Sequence, residues 1–467
     1  MPVEQLKAVV SARVGLAVDE SSFPLLTEEE MSTIALHNVG EDWEHLQHVP
    51  GIDSYWNRVA LVDVEKMVSY THPRFDFDSY FKDLKEEKGL GPEEIIEVPQ
   101  KTDSFYDDVL KSDAGRKIYE LIVQDGYKLE LFSSEPEAVD FVKKLGLDWD
   151  RHVTNPSQEQ YEEWANKARL REALQAKDCM VCPENYVVES REELLGVFDG
   201  LSKCGPVVVK RPDKASGEGQ KYYPSKDEVG SGINGGNGSR VYKPQSFLEE
   251  NWDPEVGAIV EQVYEHHPCS IIYDITDHGP QFQYISLQNI GKDSPIGDLV
   301  TLNQLIKNDI GHMGNAVGSQ EVPLGPLGTQ ARLKLRECGG EAASILYQKG
   351  YRGKVCFDFA YTEDGKALLL ECNPRGSHSW YVYGLQKQLE ESLGAPKVVI
   401  GCNVLQVEAE SYHSAKERLP NPTQTVMFHT PLLDMGLDKC GVCTFGEDFA
   451  EAKHEFEKAR NALQRKE

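Results

Sequence analysis

Two carboxylates and an amide in the segment Gly353–Trp380 have the types and spacing expected of a metal site. Asp358 comes first in the chain, and Glu371 is followed two residues later by Asn373. Carboxylate and amide oxygens are hard ligands of the kind that Mg²⁺ prefers when it carries a polyphosphate. Arg375 follows them as a cation that could clamp an anion. The alternative interpretation is an ordinary strand pair whose acidic side chains are solvated.

A β-hairpin would bring these side chains together, and the sequence predicts one. The apolar runs Val355–Ala360 and Ala367–Leu370 flank a turn signal, Glu363-Asp364-Gly365. Alternate residues of a strand point to the same face, so the glutamate and the asparagine that end the second run lie together. Antiparallel pairing can place the aspartate of the first run beside them.

Two lysines upstream have the positions expected of phosphate ligands. Lys167 lies within a helix predicted from Gln158 to about Ala176, and Lys210 ends the predicted strand Pro206–Lys210. Ammonium groups act as point charges that can neutralise the phosphates of a nucleotide. A strand-terminal lysine is also a common surface residue, so the two lysines alone do not define a site.

The segment after this strand is rich in glycine. The backbone N–H groups of a loop containing Ser216, Gly217 and Gly219 can wrap phosphate oxygens, and Lys214 precedes the loop as a second basic group. A further glycine-rich stretch at 230–239 is interpreted as a solvent-exposed insertion rather than a second phosphate loop.

The pattern D-F-x(10)-L-E-C-N-P-R resembles the metal-binding hairpin of ATP-grasp ligases, and the upstream elements follow that family's order over roughly residues 160–390. The resemblance implies ATP and Mg²⁺ as cofactors, with Asp358, Glu371 and Asn373 as metal ligands. It implies catalytic roles for Arg375 and Lys210.

The resemblance also implies the residues that surround the nucleotide. The hinge strand, predicted at Ala258–Tyr264, would offer backbone groups of Gln262 and Val263 to the adenine edge, with Glu261 reaching the exocyclic amine. The acidic ribose ligand that family members often carry is not evident here, and His267 or Glu265 would take its place. The nucleotide-binding set is therefore Lys167, Lys210, Lys214, Ser216, Gly217, Gly219, Glu261, Gln262, Val263 and His267.

The first third of the chain alternates predicted strands and helices, which is typical of an open α/β sheet. It contains a helical patch at Glu28–His37 and an apolar run at Arg58–Val64 that is typical of a parallel strand. No G-x-G-x-x-G follows that run, so a dinucleotide site there is unsupported.

The fold class expected from the resemblance is α/β, with an N-terminal pre-ATP-grasp domain followed by an ATP-grasp fold of lid and body subdomains. The implied boundaries are 1–157 for the first domain and 158–400 for the ATP-grasp domain, with the lid at about 186–260. The C-terminal segment 401–467 would complete the body.

The composition limits the class of protein. A chain of 467 residues is too long for one ordinary core, so two or three domains are expected. The formal net charge of −28 argues against nucleic-acid and membrane partners, and an anionic substrate would need local basic groups. No apolar run reaches about 18 residues and no secretory signal is evident, so we expect a cytoplasmic protein.

The chain has ten cysteines, including two CxxC pairs. Cys179 with Cys182, and Cys440 with Cys443, could together form a four-cysteine zinc site, or act as buried thiols. The second pair is predicted in a glycine-containing loop and is the stronger redox or metal candidate.

Thr301–Gln304 with Gly311–Asn315 is similar to a segment of amide-forming ATP-grasp enzymes of secondary metabolism, including peptide ligases with a pre-ATP-grasp domain. Gly376–Trp380 resembles the corresponding segment of the mycosporine-glycine-synthase group. The resemblance implies a ligase that joins a small acid to an amine through an acyl phosphate, and the sequence is compatible with a homodimer. Two alternatives remain, an enzyme that phosphorylates an enol or hydroxyl before condensation, and a non-catalytic ATP-binding regulator.

Overall fold

The computed structural model describes residues 32–37, 58–62, 64–71, 77–102, 104–175, 182–214, 219–226, 244–291, 295–307, 312–319, 322–394 and 397–464. The described strands, β1 to β16, are Thr33–Leu36, Lys66–Thr71, Glu94–Pro99, Lys128–Leu131, Asn185–Val188, Val207–Lys210, Gln220–Tyr223, Ala258–Gln262, His267–Thr276, Gly279–Ile290, His312–Gly318, Gly353–Tyr361, Ala367–Asn373, Val398–Leu405, Thr425–Phe428 and Lys439–Gly446.

The described α-helices, α1 to α15, are Phe77–Lys82, Phe105–Lys111, Asp113–Asp125, Pro136–Lys144, Trp149–His152, Gln158–Ala165, Lys167–Gln175, Arg191–Leu201, Gln245–Glu250, Leu302–Lys307, Thr329–Gln348, His378–Leu393, Tyr412–Arg418, Pro431–Asp434 and Phe449–Leu463. A π-helical turn continues α1 at Asp83–Glu87, and a 3₁₀ turn lies at Pro422–Gln424. No helix in the described ranges is long and apolar enough to span a bilayer.

Four parallel strands form the N-terminal sheet, in the order β3-β2-β1-β4. The helices between them begin and end where the sequence indicates. For example, Ser112 caps the N-terminus of α3 by accepting from the N–H of Ala114, and Gly126 ends that helix in the left-handed conformation. The prediction of an open α/β sheet in this part of the chain is confirmed.

Two sequence predictions in this sheet are wrong. The segment Glu28–His37, predicted to be helical, contains β1, whose three apolar residues are fully buried between two neighbouring strands. Burial in the sheet therefore overrides local helical propensity. The apolar run Arg58–Val64, predicted to be a strand, forms a buried 3₁₀ turn at 58–61, and the strand begins only at Lys66. An apolar run by itself does not distinguish a strand from another buried segment.

The helix predicted over residues 158–176 is divided in two at Asn166. The backbone of Asn166 leaves the helical region, with ψ of 111°, and its side-chain oxygen accepts hydrogen bonds from the N–H groups of Ala168 and Arg169 at 3.0 and 3.2 Å. Asparagine at this position thus ends α6 and caps α7, which is its usual role at helix boundaries. The break places Lys167 in the first turn of the second helix.

A small antiparallel sheet, in the order β5-β8-β6-β7, lies within residues 185–262. One face packs on α8, whose Leu194 and Phe198 join Val207, Val209 and Val260 in a separate hydrophobic core. This sheet carries Lys210 at the end of β6. The domain boundaries expected from the resemblance, including a lid at about 186–260, stay a prediction.

An eight-stranded antiparallel sheet forms the centre of the fold, in the order β13-β12-β9-β10-β11-β14-β16-β15. Helices α11, α12 and α15 pack against its strands. The β12–β13 hairpin lies at one edge, and the three strands after residue 397 extend the same sheet at the other.

The second CxxC pair lies within β16. The prediction that this pair lies in a loop is therefore wrong. Cys440 and Cys443 are both fully buried there, and burial raises the pKa of the Cys440 thiol to about 12. In the first pair, Cys182 accepts a hydrogen bond from the Arg171 guanidinium at 3.2 Å, while Cys179 lies outside the described residues. The burial of Cys440 and Cys443 is typical of structural thiols rather than of redox or zinc-binding cysteines, whereas Cys204, outside both pairs, is exposed.

Candidate active site

The hairpin β12–β13 places the three expected metal ligands on one face. Asp358 lies directly opposite Glu371 in the antiparallel ladder, and Cys356 lies opposite Asn373. The Asn373 amide donates to Asp358 at 2.9 Å and to Glu371 at 3.5 Å, so the two carboxylates converge on the same amide. The spacing of these residues in the sequence predicts this convergence.

Asp358 has two further hydrogen-bond partners that no pattern in the sequence indicates. Its Oδ1 accepts hydrogen bonds from the Ser270 hydroxyl at 2.6 Å and from the Gln288 amide at 2.8 Å. Ser270 lies opposite Asp358 on β9, and Gln288 projects from the next strand, β10. The signal that could have found them is strand pairing, because residues opposite each other in a ladder share a face.

The electrostatics of the two carboxylates suit a divalent cation. Burial and the nearby negative charge of Glu371 raise the pKa of Asp358 to about 7. Burial would also raise the pKa of Glu371, but the ammonium group of Lys167, 3.2 Å away, holds it below its usual range. Two converging acids that repel each other are a fitting donor pair for Mg²⁺. The Asn373 amide presents its N–H groups to them and its oxygen to Arg375.

Lys167 and Lys210 both reach the region beside the hairpin. The ammonium group of Lys167 also donates to the backbone carbonyl of Lys214, so the start of the glycine-rich segment is tied to this corner of the site. Ser216 and Gly217 lie outside the described residues. Gly219 has a φ of +63°, and the Arg211 side chain occupies the space where its Cβ would project.

Lys210 belongs to a buried network of charges. Its ammonium group donates to Glu261 at 2.6 Å, and the other oxygen of Glu261 accepts from Arg171 at 2.8 Å. Burial lowers the pKa of Lys210 and would raise that of Glu261, but Lys210 and Arg171 hold the Glu261 pKa below its usual range. Both oxygens of Glu261, the carboxylate expected at the adenine amine, therefore already accept hydrogen bonds.

Arg171 was not singled out in the sequence, yet it connects the two sheets at the site. Besides Glu261 on β8, its guanidinium donates to the carbonyl groups of Leu369 and Leu370 on β13, at 2.8 and 2.7 Å. It is almost fully buried. No local pattern indicated this role, because the partners are far away in the chain.

Backbone groups of the hinge strand are only partly available to a base. The N–H of Gln262 donates to the carbonyl of Glu184, and the N–H of Val263 donates to that of Pro206, both at 2.9 Å. A contact from Gln262 or Val263 to adenine would therefore use their carbonyl groups. The apolar side chains of Val208 and Leu368 line this part of the cavity.

Many of these residues line a cavity of about 460 Å³. Its described lining includes Lys210, Glu261, Gln262, Val263, Asp358, Glu371, Asn373 and Arg375. His266 lines it, whereas His267, the expected ribose ligand, is not among the lining residues in the described ranges. Lys167, Lys214 and Gly219 lie outside this lining as well, so the structure brings together most, but not all, of the expected site.

Arg375 lies where the β12–β13 hairpin meets the rest of the cavity. Its guanidinium donates to the Asn373 side-chain oxygen at 3.2 Å and to the Gly376 carbonyl at 3.0 Å. It also lies 5.3 Å from the centre of the Phe132 ring, which belongs to the N-terminal part of the chain. This position places it between the carboxylates of the hairpin and the remaining half of the cavity.

The sheets have the architecture of an ATP-grasp fold preceded by a parallel α/β sheet. No family model matches the sequence, and no curated protein matches it. Solved structures do share the fold. Biotin carboxylase from Campylobacter jejuni, described as a complex with β-γ-ATP, is 14% identical with a TM-score of 0.56, over 93% of this chain and 92% of that chain.

Two further structures give the same result. The biotin carboxylase domain of 2-oxoglutarate carboxylase from Hydrogenobacter thermophilus, described with MgADP, ADP and bicarbonate, is 11% identical with a TM-score of 0.52, over 93% of this chain and 91% of that chain. N5-carboxyaminoimidazole synthase from Aspergillus clavatus, described with ADP and 5-aminoimidazole ribonucleotide, is 13% identical with a TM-score of 0.51, over 92% and 98%. The expected fold class is confirmed.

Proposed function

We propose that this protein is an ATP-dependent ligase that forms a carbon–nitrogen bond between a small carboxylic acid and an amine. The observation that carries the proposal is the convergence of Asp358, Glu371 and Asn373 in one cavity with Lys210 and Arg375. The fold is shared with enzymes whose structures are described with ATP or ADP. The identities of the acid and the amine, and a homodimeric state, are further predictions.

The reaction would proceed in two displacements. An oxygen of the substrate carboxylate attacks the γ-phosphorus of ATP, the bond to the β-phosphate oxygen breaks, and ADP leaves with an acyl phosphate remaining. The amine nitrogen then attacks the acyl carbon, the carbon–oxygen bond to phosphate breaks, and the nitrogen loses a proton. Little covalent help from the protein is needed, because phosphoryl transfer depends mainly on positioning and electrostatic stabilisation.

Each residue of the site has a role in that scheme. Asp358, Glu371 and Asn373 would hold Mg²⁺, which supplies positive charge to the β- and γ-phosphates. Lys210, fixed by its bond to Glu261, would place a point charge on the phosphate chain. Arg375 would stabilise the negative charge that develops on the acyl oxygen and the transferring phosphoryl group.

Binding of Mg·AMPPNP is expected to raise the thermal unfolding temperature of the protein, because a ligand that binds only the folded state stabilises it. The measurement is thermal unfolding with AMPPNP and Mg²⁺ together, and with each alone. If millimolar Mg·AMPPNP gives no shift, the proposed nucleotide site is wrong.

The nucleotide product is expected to be ADP, because the acyl-phosphate route transfers the γ-phosphoryl group. Chromatography of spent nucleotide, run over a panel of acids crossed with amines and followed by mass spectrometry, measures this. AMP and pyrophosphate as the main products would exclude the mechanism. A phosphorylated acceptor with no amide would instead identify a kinase.

A further inference from the structure

The cavity extends beyond the metal hairpin, and its far half has a different chemical character. Six polar side chains line that half and come from elements remote from β12 and β13. They are Arg58, His312, Asn315, His378, Asn403 and Lys439. The strand β11, which carries two of them, is three strands away from β12, a distance of roughly 14 Å at the usual strand spacing.

The acidic side chains of the described lining all lie in the half near β12 and β13. The acidic side chains among its described lining residues are Glu261, Asp358 and Glu371, and all three lie on β8, β12 or β13. The far half has Arg58 and Lys439 and no acidic residue in the described lining. Two cations in one half of a cavity give it a local positive potential that favours an anionic ligand, although the chain as a whole has a formal net charge of −28.

The two guanidinium groups of the cavity are fixed relative to each other by one aromatic ring. Arg58 lies 5.6 Å and Arg375 lies 5.3 Å from the centre of the Phe132 ring. Arg58 is buried and also stacks on Tyr381 at 4.2 Å. Stacking of this kind helps to orient a guanidinium. Both groups are therefore within reach of one small molecule.

The neutral polar groups of the far half form a network around Asn315. Its side-chain oxygen accepts from the ring nitrogens of His312 at 3.0 Å and His378 at 3.2 Å, and its amide donates to Ser286 at 3.2 Å. Burial, together with the charges of neighbouring groups, holds the pKa of His378 well below its usual range, so that imidazole is neutral. Such groups recognise hydroxyl or amine substituents rather than charge.

We propose that the far half of the cavity binds the acid substrate, and that this acid carries a second anionic group, held by Arg58 and Lys439, while its reacting carboxylate faces Arg375. The inference rests on the proposed function for the assignment of the reacting end. The second anionic group can be a carboxylate or a phosphate, because arginine and lysine bind both.

Matched pairs of acids test this proposal in the presence of Mg·AMPPNP. Succinate and butyrate have the same number of carbon atoms but differ by one anionic group, and 3-phosphoglycerate and glycerate differ by a phosphate. Calorimetric titration is expected to show that succinate and 3-phosphoglycerate, the acids with two anionic groups, each bind at least about tenfold more tightly than their partners. The pair with the larger difference identifies the second group as carboxylate or phosphate.

Substitution then assigns the preference to this half of the cavity. Arg58→Met and Lys439→Met are each expected to reduce the preference for acids with two anionic groups by about tenfold or more and to leave butyrate binding unchanged. Arg336→Met is the matched control, because Arg336 also stacks on an aromatic ring, 4.7 Å from the centre of Phe282, but is exposed outside the cavity. Lys439→Met keeps the test decisive if Arg58→Met fails to fold.

The proposal is overturned if acids with one and with two anionic groups bind alike, or if Arg58→Met and Lys439→Met both keep the wild-type preference. These outcomes are separate from failure of the proposed function. The thermal shift with Mg·AMPPNP tests the nucleotide site without any acid, and the acid pairs can be titrated without nucleotide.

Discussion

Glu371→Gln is expected to lower turnover by roughly 10²-fold or more, which corresponds to about 3 kcal/mol of transition-state stabilisation. Glutamine keeps the shape of the side chain but removes one negative charge from the donor set that Glu371 shares with Asp358 and Asn373. Since the metal would neutralise charge on the transferring phosphoryl group, the loss should appear in turnover at saturating Mg²⁺. The measurement is steady-state ADP release across a Mg²⁺ titration.

The matched control for this substitution lies in the same hairpin. Glu363 is in the turn between β12 and β13, where it is exposed, and Glu363→Gln should leave turnover unchanged. The fold of Glu371→Gln should survive, because the change also relieves repulsion with Asp358, and circular dichroism checks this. A Glu371→Gln protein with wild-type turnover would show that the metal site lies elsewhere.

Arg171→Met is expected to reduce the free energy of unfolding by about 3 kcal/mol, the usual cost of breaking a buried charge network. The change removes two hydrogen bonds to the carbonyls of Leu369 and Leu370 and leaves Glu261 with Lys210 as its remaining cation. Urea denaturation, comparing midpoints at unchanged slope, measures the loss.

The control for this second substitution is on the same helix. The side chain of Arg169 is 66% exposed and pairs with Glu172 at 3.4 Å, so Arg169→Met should change stability by less than about 0.5 kcal/mol. Equal stability of Arg171→Met and Arg169→Met would mean that the buried network contributes nothing to the fold.

The parts of the site that could be predicted are those encoded by short stretches of sequence. The hairpin follows from two apolar runs and a turn signal, and the period of a strand then fixes which face Glu371 and Asn373 share. Lys210 follows from its place at the end of a strand.

What the sequence did not reveal depends on contacts between distant residues. Arg171 is separated from Glu261 by 90 residues and from Leu369 by 198, so no local pattern indicates their contact. The break at Asn166 depends on a single side chain that caps a helix, and the strand at Thr33–Leu36 exists because two neighbours bury it. The glycines near Cys440 predict a loop, but tertiary packing makes this segment a strand.

The order of strands in the central sheet has a consequence for how the protein is made. The last strand of the chain, β16, lies between β14 and β15, and pairs with both. The strands of the sheet therefore cannot all pair until residue 446 has left the ribosome, although the β12–β13 hairpin emerges much earlier. Until then β14 has an unpaired edge, and a prematurely terminated product would keep it. Exposed edges of this kind promote aggregation, so we expect truncated chains to be recovered mainly as insoluble material.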